Sequence, residues 1–303
     1  MADNLASFKV QCQGGLNTSR DVLSQGADSA GSAIAMINYE PAVTGGYRRI
    51  DGYSNAYGTV TGTGAVLGVC VANGINDGIL AARKPSSGSD YLHHWDTSTA
   101  TWTAVTTSGS PTMTGVGKVR FVRYNWGDEK VLLTDGVNPA ATYDGTTYTQ
   151  ITHADAPSAP KIAHNFKNHM FLAGDSTEPT NLYFSAPYDE TNFAPANGAG
   201  VINVGFPIVA LKSFRDTLYV FGVNNIRKIV GNNIADFFLL EVTDDLGCLA
   251  TDSVVEIGGD VYFLSQDGYR PVSGTNRIVD VNLESISRNM QSIFTEVVLQ
   301  EDL

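Results

Sequence analysis

Short apolar runs recur along this chain at a near-constant interval, and each is short enough to be a strand rather than a helix. "ILAAR" (79–83), "KVLLT" (130–134), "HMFLAG" (169–174), "TLYVFG" (217–222) and "DVYFLS" (260–265) are the five clearest. With Leu80, Val131, Met170, Leu218 and Val261 taken as equivalents, the spacings are 51, 39, 48 and 43 residues. Each run follows another apolar strand: "GVCVA" (68–72), "VRFVRY" (119–124), "KIAHNF" (161–166), "IVALKS" (208–213) and "SVVEI" (253–257). Each is followed by wetter segments, such as "YLHHW" then "TWTAV", "ATYD" then "TYTQI", "NLYFS" then "NFA", and "NIRKI" then "DFFLLE". Four strands per unit at a period of roughly 40 to 50 residues is the pattern of a β-propeller blade. A large β-sandwich with similar hairpins is the alternative. The unbroken apolarity of the second strand favours the propeller, because a strand buried on both faces loses polar alternation. The expected fold is all-β, with about five to six four-stranded blades over residues 59–281. Five units are countable, and a sixth would come from the N-terminal segment or from a neighbouring chain.

Turn signals separate the runs: Asn73-Gly74, Asp77-Gly78, Asp135-Gly136, Asp144-Gly145 and Asp267-Gly268 supply the positive φ that tight hairpins require. Residues 1–58 have a different texture and are predicted to be an irregular anchoring arm. It contains a short alternating piece "SFKVQCQ", a small-residue stretch "GADSAGSAIAMINY" able to make one or two helical turns, and "TGGYRRIDGY" (44–53). Residues 282–303 read as an amphipathic helix with Asn282 as N-cap and Leu283, Ile286, Met290, Ile293 and Val297 on one face. Its terminal Glu-Asp-Leu is unfavourable for the helix dipole, so the tail needs a surface to dock on, such as a partner subunit.

Composition agrees with strands and turns: 31 glycines, 13 Tyr, 13 Phe and only 17% charged residues in 303. The formal net charge of −12 argues against generic nucleic-acid binding, which draws on cationic side chains displacing counterions from phosphates. Cys12, Cys70 and Cys248 are far apart and are expected to be reduced thiols. The N-terminus lacks a basic start followed by an apolar stretch, and no apolar run approaches membrane-spanning length, so folding in a cytoplasm is expected.

Catalytic and metal signatures are weak. "HHWD" (93–96) places His94 and Asp96 on one face of a strand without a further ligand. His164 and His169 fall on different strands and read as hairpin neighbours. "GTGAVLG" (62–68) has neither the spacing nor the following helix of a nucleotide-binding loop. Most carboxylates, including Asp135, Asp144, Asp244, Asp245 and Asp267, sit in turns, where bonding to the backbone accounts for them. No enzyme activity, cofactor or metal is expected. Arg215 at a hairpin tip, and Arg227 with Lys228, read as a solvated edge or an intersubunit salt bridge.

"GGLN" (14–17), "INYEPAVTGGYRRIDGY" (37–53), "LYVFGVNNIRKIVG", and the stretch from "TDDLGCLATDSVVEIGGDVYFLSQDGYRPVSGTNRIVDVNLESISRNMQ" together resemble the propeller-type tail hub or nozzle proteins of tailed bacteriophages. The similarity runs over most of the chain and keeps its order. It implies a structural subunit of a virion tail ring, commonly sixfold and so here a hexamer, below the portal and adaptor. Genomic DNA would pass through the channel without specific binding, and there would be no membrane insertion. Assembly would take place in the host bacterial cytoplasm. The chain stops soon after "SISRNMQSIF", without the tip domains of long nozzles, so an adaptor-like or neck position fits as well. Under this reading Tyr47, Arg48, Arg49 and Tyr53 anchor the arm, and Arg215, Arg227, Leu283, Ile286 and Met290 are further interface candidates. An acidic inner ring surface would let DNA slide without adhesion. The competing reading is a carbohydrate- or receptor-binding tail propeller, with Tyr91, Trp95 and Trp102 as stacking aromatics.

Overall fold

A computed structural model describes residues 14–19, 21, 31–42, 45–75, 78–85, 91–109, 111, 117–275 and 287–299. It opens with a small hairpin, β1 (Tyr39–Pro41) and β2 (Tyr47–Arg49). From residue 66 onward the chain makes five antiparallel sheets in succession, each meandering from its first strand outward.

The first sheet holds β3 (Val66–Val71), β4 (Ile79–Arg83), β5 (Leu92–Asp96) and β6 (Thr101–Ala104). The chain then passes through β7 (Thr106–Thr107), which runs parallel to the outer edge of the second sheet. That sheet is β8 (Arg120–Asn125), β9 (Glu129–Thr134), β10 (Ala141–Tyr143) and β11 (Thr147–Gln150). The third comprises β12 (Ile162–Phe166), β13 (His169–Ala173), β14 (Asn181–Phe184) and β15 (Gly200–Asn203). The fourth comprises β16 (Ala210–Phe214), β17 (Thr217–Phe221), β18 (Ile226–Val230) and β19 (Phe238–Thr243). The fifth has three strands, β20 (Val255–Ile257), β21 (Asp260–Ser265) and β22 (Gly268–Pro271).

Second strands are apolar because alternate residues serve two different cores. In β13, Met170 and Leu172 pack toward the second sheet, whereas Phe171 and Ala173 pack toward the fourth. Leu218 and Val220 of β17 face back to the third sheet, and Phe221 faces forward to the fifth. All five anchor residues of the repeat are fully buried. Leu80, however, points forward to the second sheet, while Val131, Met170, Leu218 and Val261 point back to the sheet before them. The first unit is therefore offset by one residue, which is enough to exchange the two faces of a strand.

Four cores join the five sheets in a row, and among the described residues no core joins the fifth sheet to the first. The back face of the first sheet is covered in part by residues 57–64. There Trp102 donates its indole N–H to the Tyr57 carbonyl at 2.9 Å, and the buried Arg83 donates from Nη2 to the Gly64 carbonyl at 2.8 Å. Val66, Val69 and Val71 of β3 and Val255 and Ile257 of β20 stay exposed.

Gly78, Gly136, Gly145 and Gly268 take the positive φ expected of them, and Gln266-Asp267 closes a two-residue loop just before Gly268. Gly258-Gly259 closes another two-residue hairpin, while Lys167-Asn168 and Arg215-Asp216 close theirs without a glycine, with φ of 49° and 63° and of 46° and 59°. Positive φ at both positions matches the turn to strand twist, and here non-glycine residues bear that cost. Asp135 and Asp144 follow strands and accept N–H groups two and three residues ahead, as turn aspartates do. "NFA" (192–194) forms no strand; Gly200–Asn203 takes the outer position of the third sheet instead. The helical turns predicted within 26–39 are absent from residues 31–38, while 22–30, like "SFKVQCQ", lie outside the described residues.

Candidate functional site

Three places gather the residues of interest: the junction of the two termini, one rim of hairpin tips, and a space bordered by the first strands of the sheets.

At the junction, the fifth sheet has three strands among the described residues, and the segment from Ser287 lies along its outer edge. Ser287 Oγ accepts the N–H of Tyr269 at 3.1 Å, and Gln291 Nε2 donates to the Asp267 carbonyl at 2.8 Å. A 3-10 turn (Arg288–Met290) leads into the helix Gln291–Leu299, and Phe294 packs edge-on against Tyr269 with centroids 5.8 Å apart. Met290, Phe294 and Val298 are half-buried, whereas Ile293 is exposed, so the docked face is rotated from the predicted one. The expected face followed the spacing of Leu283, Ile286, Met290, Ile293 and Val297 and so passed over Phe294, whose ring finds a partner on β22. Leu283, Ile286 and Asn282 lie outside the described residues.

The N-terminal segment meets this helix start. Thr18 N–H donates to the Asn289 carbonyl at 2.8 Å, Ser19 Oγ to the Arg288 carbonyl at 2.7 Å, and Ser292 Oγ to Thr18 Oγ1 at 2.7 Å. Tyr47 extends the junction into the β1–β2 hairpin, its hydroxyl lying 3.1 Å from the Gly15 carbonyl and 3.2 Å from that of Gly31. Arg48 pairs across the hairpin with Glu40 at 2.5 Å, its register partner, so its charge is engaged within the arm. Arg49 is exposed, and Tyr53 is fully exposed.

Hairpin tips of successive sheets are tied along one rim. Lys167 pairs with Asp216 at 2.9 Å, and Arg215 Nη2 donates to the Gly259 carbonyl at 3.2 Å while its guanidinium lies 4.8 Å from the Phe214 ring. Further along, Trp126 sits edge-on to Tyr188 with centroids 6.4 Å apart. Arg227 pairs with Asp244, just past β19, at 2.6 Å and covers the Phe206 ring of the loop before β16, so it has partners within the chain. The aromatics considered for stacking are otherwise engaged. Tyr91 is buried and its hydroxyl donates to Asp135 at 3.1 Å; burial and that carboxylate push its pKa up. Trp95 and Trp102 are cross-strand partners stapling their own hairpin, with Tyr57 beside them. The sequence reading missed Trp126 and Tyr188, since nothing in their spacing brings a β8–β9 turn against the loop after β14.

The space between the first strands is open to solvent and is lined by β3, β8, β12, β16 and the turn before β20. It comprises a cavity of about 550 Å³ beside one of about 650 Å³, and Lys118, Arg120, Thr251 and Asp252 line both. Arg120 donates from Nε and Nη2 to both Asp252 carboxylate oxygens at 2.8 Å, and Lys118 reaches the same group at 2.7 Å. Those bonds hold the Asp252 pKa down at about 2. On one wall His164 Nε2 accepts the Ser213 N–H at 3.0 Å, with Ser213 Oγ at 2.9 Å, so the neutral ring carries its proton on Nδ1. Burial, with Lys212 nearby, pulls its pKa down to about 4.

His164 and His169 belong to one hairpin, where His164 faces Phe171 and His169 faces Phe166 across the register. Among the described residues no three His, Cys, Asp or Glu side chains are placed to hold a metal, and "HHWD" becomes β5 with His93 buried. Cys70 and Cys248 are free thiols whose pKa is raised by burial, and Cys12 lies outside the described residues. No described helix is long and apolar enough to cross a membrane.

No protein-family model matches the chain, and no curated protein matches it. Among solved structures it is similar to BBS1N, crystallised in complex with ARL6DN and soaked with lead, at 12% identity and a TM-score of 0.42 over 68% of this chain. It is also similar to the extracellular domain of the hybrid two-component system BT4673 of B. thetaiotaomicron, at 13% identity and a TM-score of 0.49 over 84% of this chain. The chain covers 65% of the former and 33% of the latter. The fold description rests on strand order and register, not on these likenesses.

Proposed function

We propose that the chain is a structural subunit of a bacteriophage tail ring, a hub, nozzle or neck component seated below the portal and adaptor around the DNA channel. In this reading the five sheets are blades of a β-propeller whose sixth position is open in the isolated chain. The observation that carries it is the pair of unpartnered sheet faces: Val66, Val69 and Val71 at one end of the row, Val255 and Ile257 at the other. Exposed apolar side chains grouped on a strand face are a liability for a free monomer and an asset for a ring subunit. The arm supports the same reading. Its two-stranded hairpin is tied down chiefly through Tyr47, while Ile37, Tyr39, Ile50 and Tyr53 remain exposed for a neighbour. Arg49 would then clamp that neighbour, with Arg48 held by Glu40. The ring is a homo-oligomer, a hexamer by the sequence resemblance, and no catalytic group is assigned.

Light scattering of the purified chain, alone and with portal or adaptor rings, tests the proposal. A monomer that becomes a ring of defined mass on its platform supports it, and a monomer indifferent to those partners refutes it. Arg48→Ala with Arg49→Ala should reduce incorporation into particles while leaving the sheets folded; normal assembly removes the role given to the arm. A receptor- or glycan-binding role draws on one observation, the Trp126–Tyr188 pair on the rim, where Tyr188 is 63% exposed.

A further inference from the structure

The charge of this chain is inverted in one place. Against a formal net charge of −12, the two adjoining cavities between the first strands are lined by four cations, Lys118, Arg120, Lys161 and Lys212, and by a single carboxylate, Asp252. Several cations elsewhere on the sheets come with their own acids, as Arg123 does with Glu129, Lys130 with Glu190 and Lys167 with Asp216. Here Lys118 and Arg120 must share Asp252. The nearest acid to Lys212 is Glu256 at 4.0 Å, at the limit of an ion pair, and Lys161 has no carboxylate partner among the described residues.

Concentrating like charge in a concave, partly desolvated space is unfavourable unless something compensates it, because the walls reduce solvent screening and focus the field. Asp252 offsets only part. Each cavity is large enough for a small molecule; Lys118 and Arg120 line both, Lys161 the larger and Lys212 the smaller, so three sheets contribute cations.

We propose that this central space is a binding site for an oxyanion, the phosphate or carboxylate group of a small molecule. Lys161 would be the principal donor in the larger cavity and Lys212 in the smaller one, and the Arg120–Asp252 pair would form the wall that the two share. The acidic exterior repels anions at long range, so occupancy would depend on multidentate contact and weaken with salt. The site does not depend on the tail reading, and it is too small to hold duplex DNA.

Isothermal titration calorimetry of the full chain, at constant ionic strength set with chloride, tests this with inorganic phosphate in one arm and succinate in the other. Saturable binding of phosphate alone identifies a phosphate site, and of succinate alone a carboxylate site. Lys161→Ala with Lys212→Ala should weaken that binding by at least about tenfold, as expected for losing charge-assisted donors. Arg215→Ala, outside the space, should leave it unchanged. Lys161→Ala alone, at an exposed residue, should also weaken binding should the double variant fail to fold. Absence of saturable binding by either anion at millimolar concentration overturns the proposal, as does unaltered binding by the lysine variants.

Discussion

Mild acid should loosen the contact between the third and fourth sheets by charging one histidine. His164 lies on β12 and accepts the Ser213 N–H of β16, so its unprotonated Nε2 is part of an inter-sheet hydrogen bond. Protonation removes that acceptor and places a cation next to Lys212, in surroundings that already lower its pKa to about 4. The unfolded chain has an imidazole pKa of about 6.5, so it takes up the proton first as pH falls. Stability from the neutral ring is therefore complete above the unfolded value and is lost progressively from there down to the folded value. With those two pKa values the linkage relation gives a loss of about 2 kcal/mol between pH 7 and pH 5. Carboxylates whose pKa is lowered in the fold, such as Asp252 and Asp175, lose their contribution only below about pH 4, which leaves the window to histidines. His169, lowered by burial, titrates in the same window, so the comparison must be with a variant. Urea denaturation of the native chain and of His164→Gln at pH 7 and pH 5 should show a pH-dependent loss about 2 kcal/mol smaller in the variant. Equal losses, or an NMR titration placing the His164 pKa near its unfolded value, would refute the reasoning.

Asp252→Asn should cost about 1 kcal/mol near neutrality, seen as a lower denaturant midpoint, since it removes a two-oxygen contact to Arg120 at a partly exposed site. The wild-type contribution should persist above about pH 4 and disappear toward pH 2, following the lowered pKa. Tyr47→Phe should leave the melting of the sheets unchanged and speed proteolysis of the arm, because among the described residues the hydroxyl bonds the Gly15 and Gly31 carbonyls of the arm. Gly62→Ala should destabilise by about 2 kcal/mol or more in thermal melts, because Gly62 has φ of 109° and an added Cβ would run into the buried Arg83 guanidinium.

Strand positions were legible in the sequence because the period-two and all-apolar patterns are direct records of burial. Ile79–Arg83 and Asp260–Ser265 are found where the apolar runs placed them, and most others are within two residues. The face assignment in the first unit was not legible, since "ILAAR" is apolar from Ile79 to Ala82 and its arginine is buried too, which leaves no alternation to set the register. Turn chemistry was legible where glycine supplies it: Gly78, Gly136, Gly145 and Gly268 all take positive φ. It was not legible at Lys167-Asn168 and Arg215-Asp216, where the strands force non-glycine residues into the left-handed region and tertiary context outweighs local preference. The outer strand of the third sheet was misplaced because Phe193 in "NFA" is buried for a different purpose, in the core shared with the second sheet.

The cationic space went unseen because its members are scattered at 118, 120, 161 and 212, where each looks like an ordinary surface charge. Arg120 and Lys212 lie on the first strands β8 and β16, and Lys161 immediately precedes the first strand β12. They stand 11, 9 and 6 residues before the anchors Val131, Met170 and Leu218, in chain order Arg120, Lys161 and Lys212, so no constant spacing marks them. They share a neighbourhood because first strands border a common space instead of neighbouring cores. Apolar residues repeated at second-strand positions distribute themselves among separate interfaces, each satisfied by the next sheet. Charges repeated at first-strand positions converge, and their field adds. The net charge of the whole chain therefore gives the wrong sign for its interior space, and the acidic wall expected around a DNA channel must be sought on surfaces outside this space.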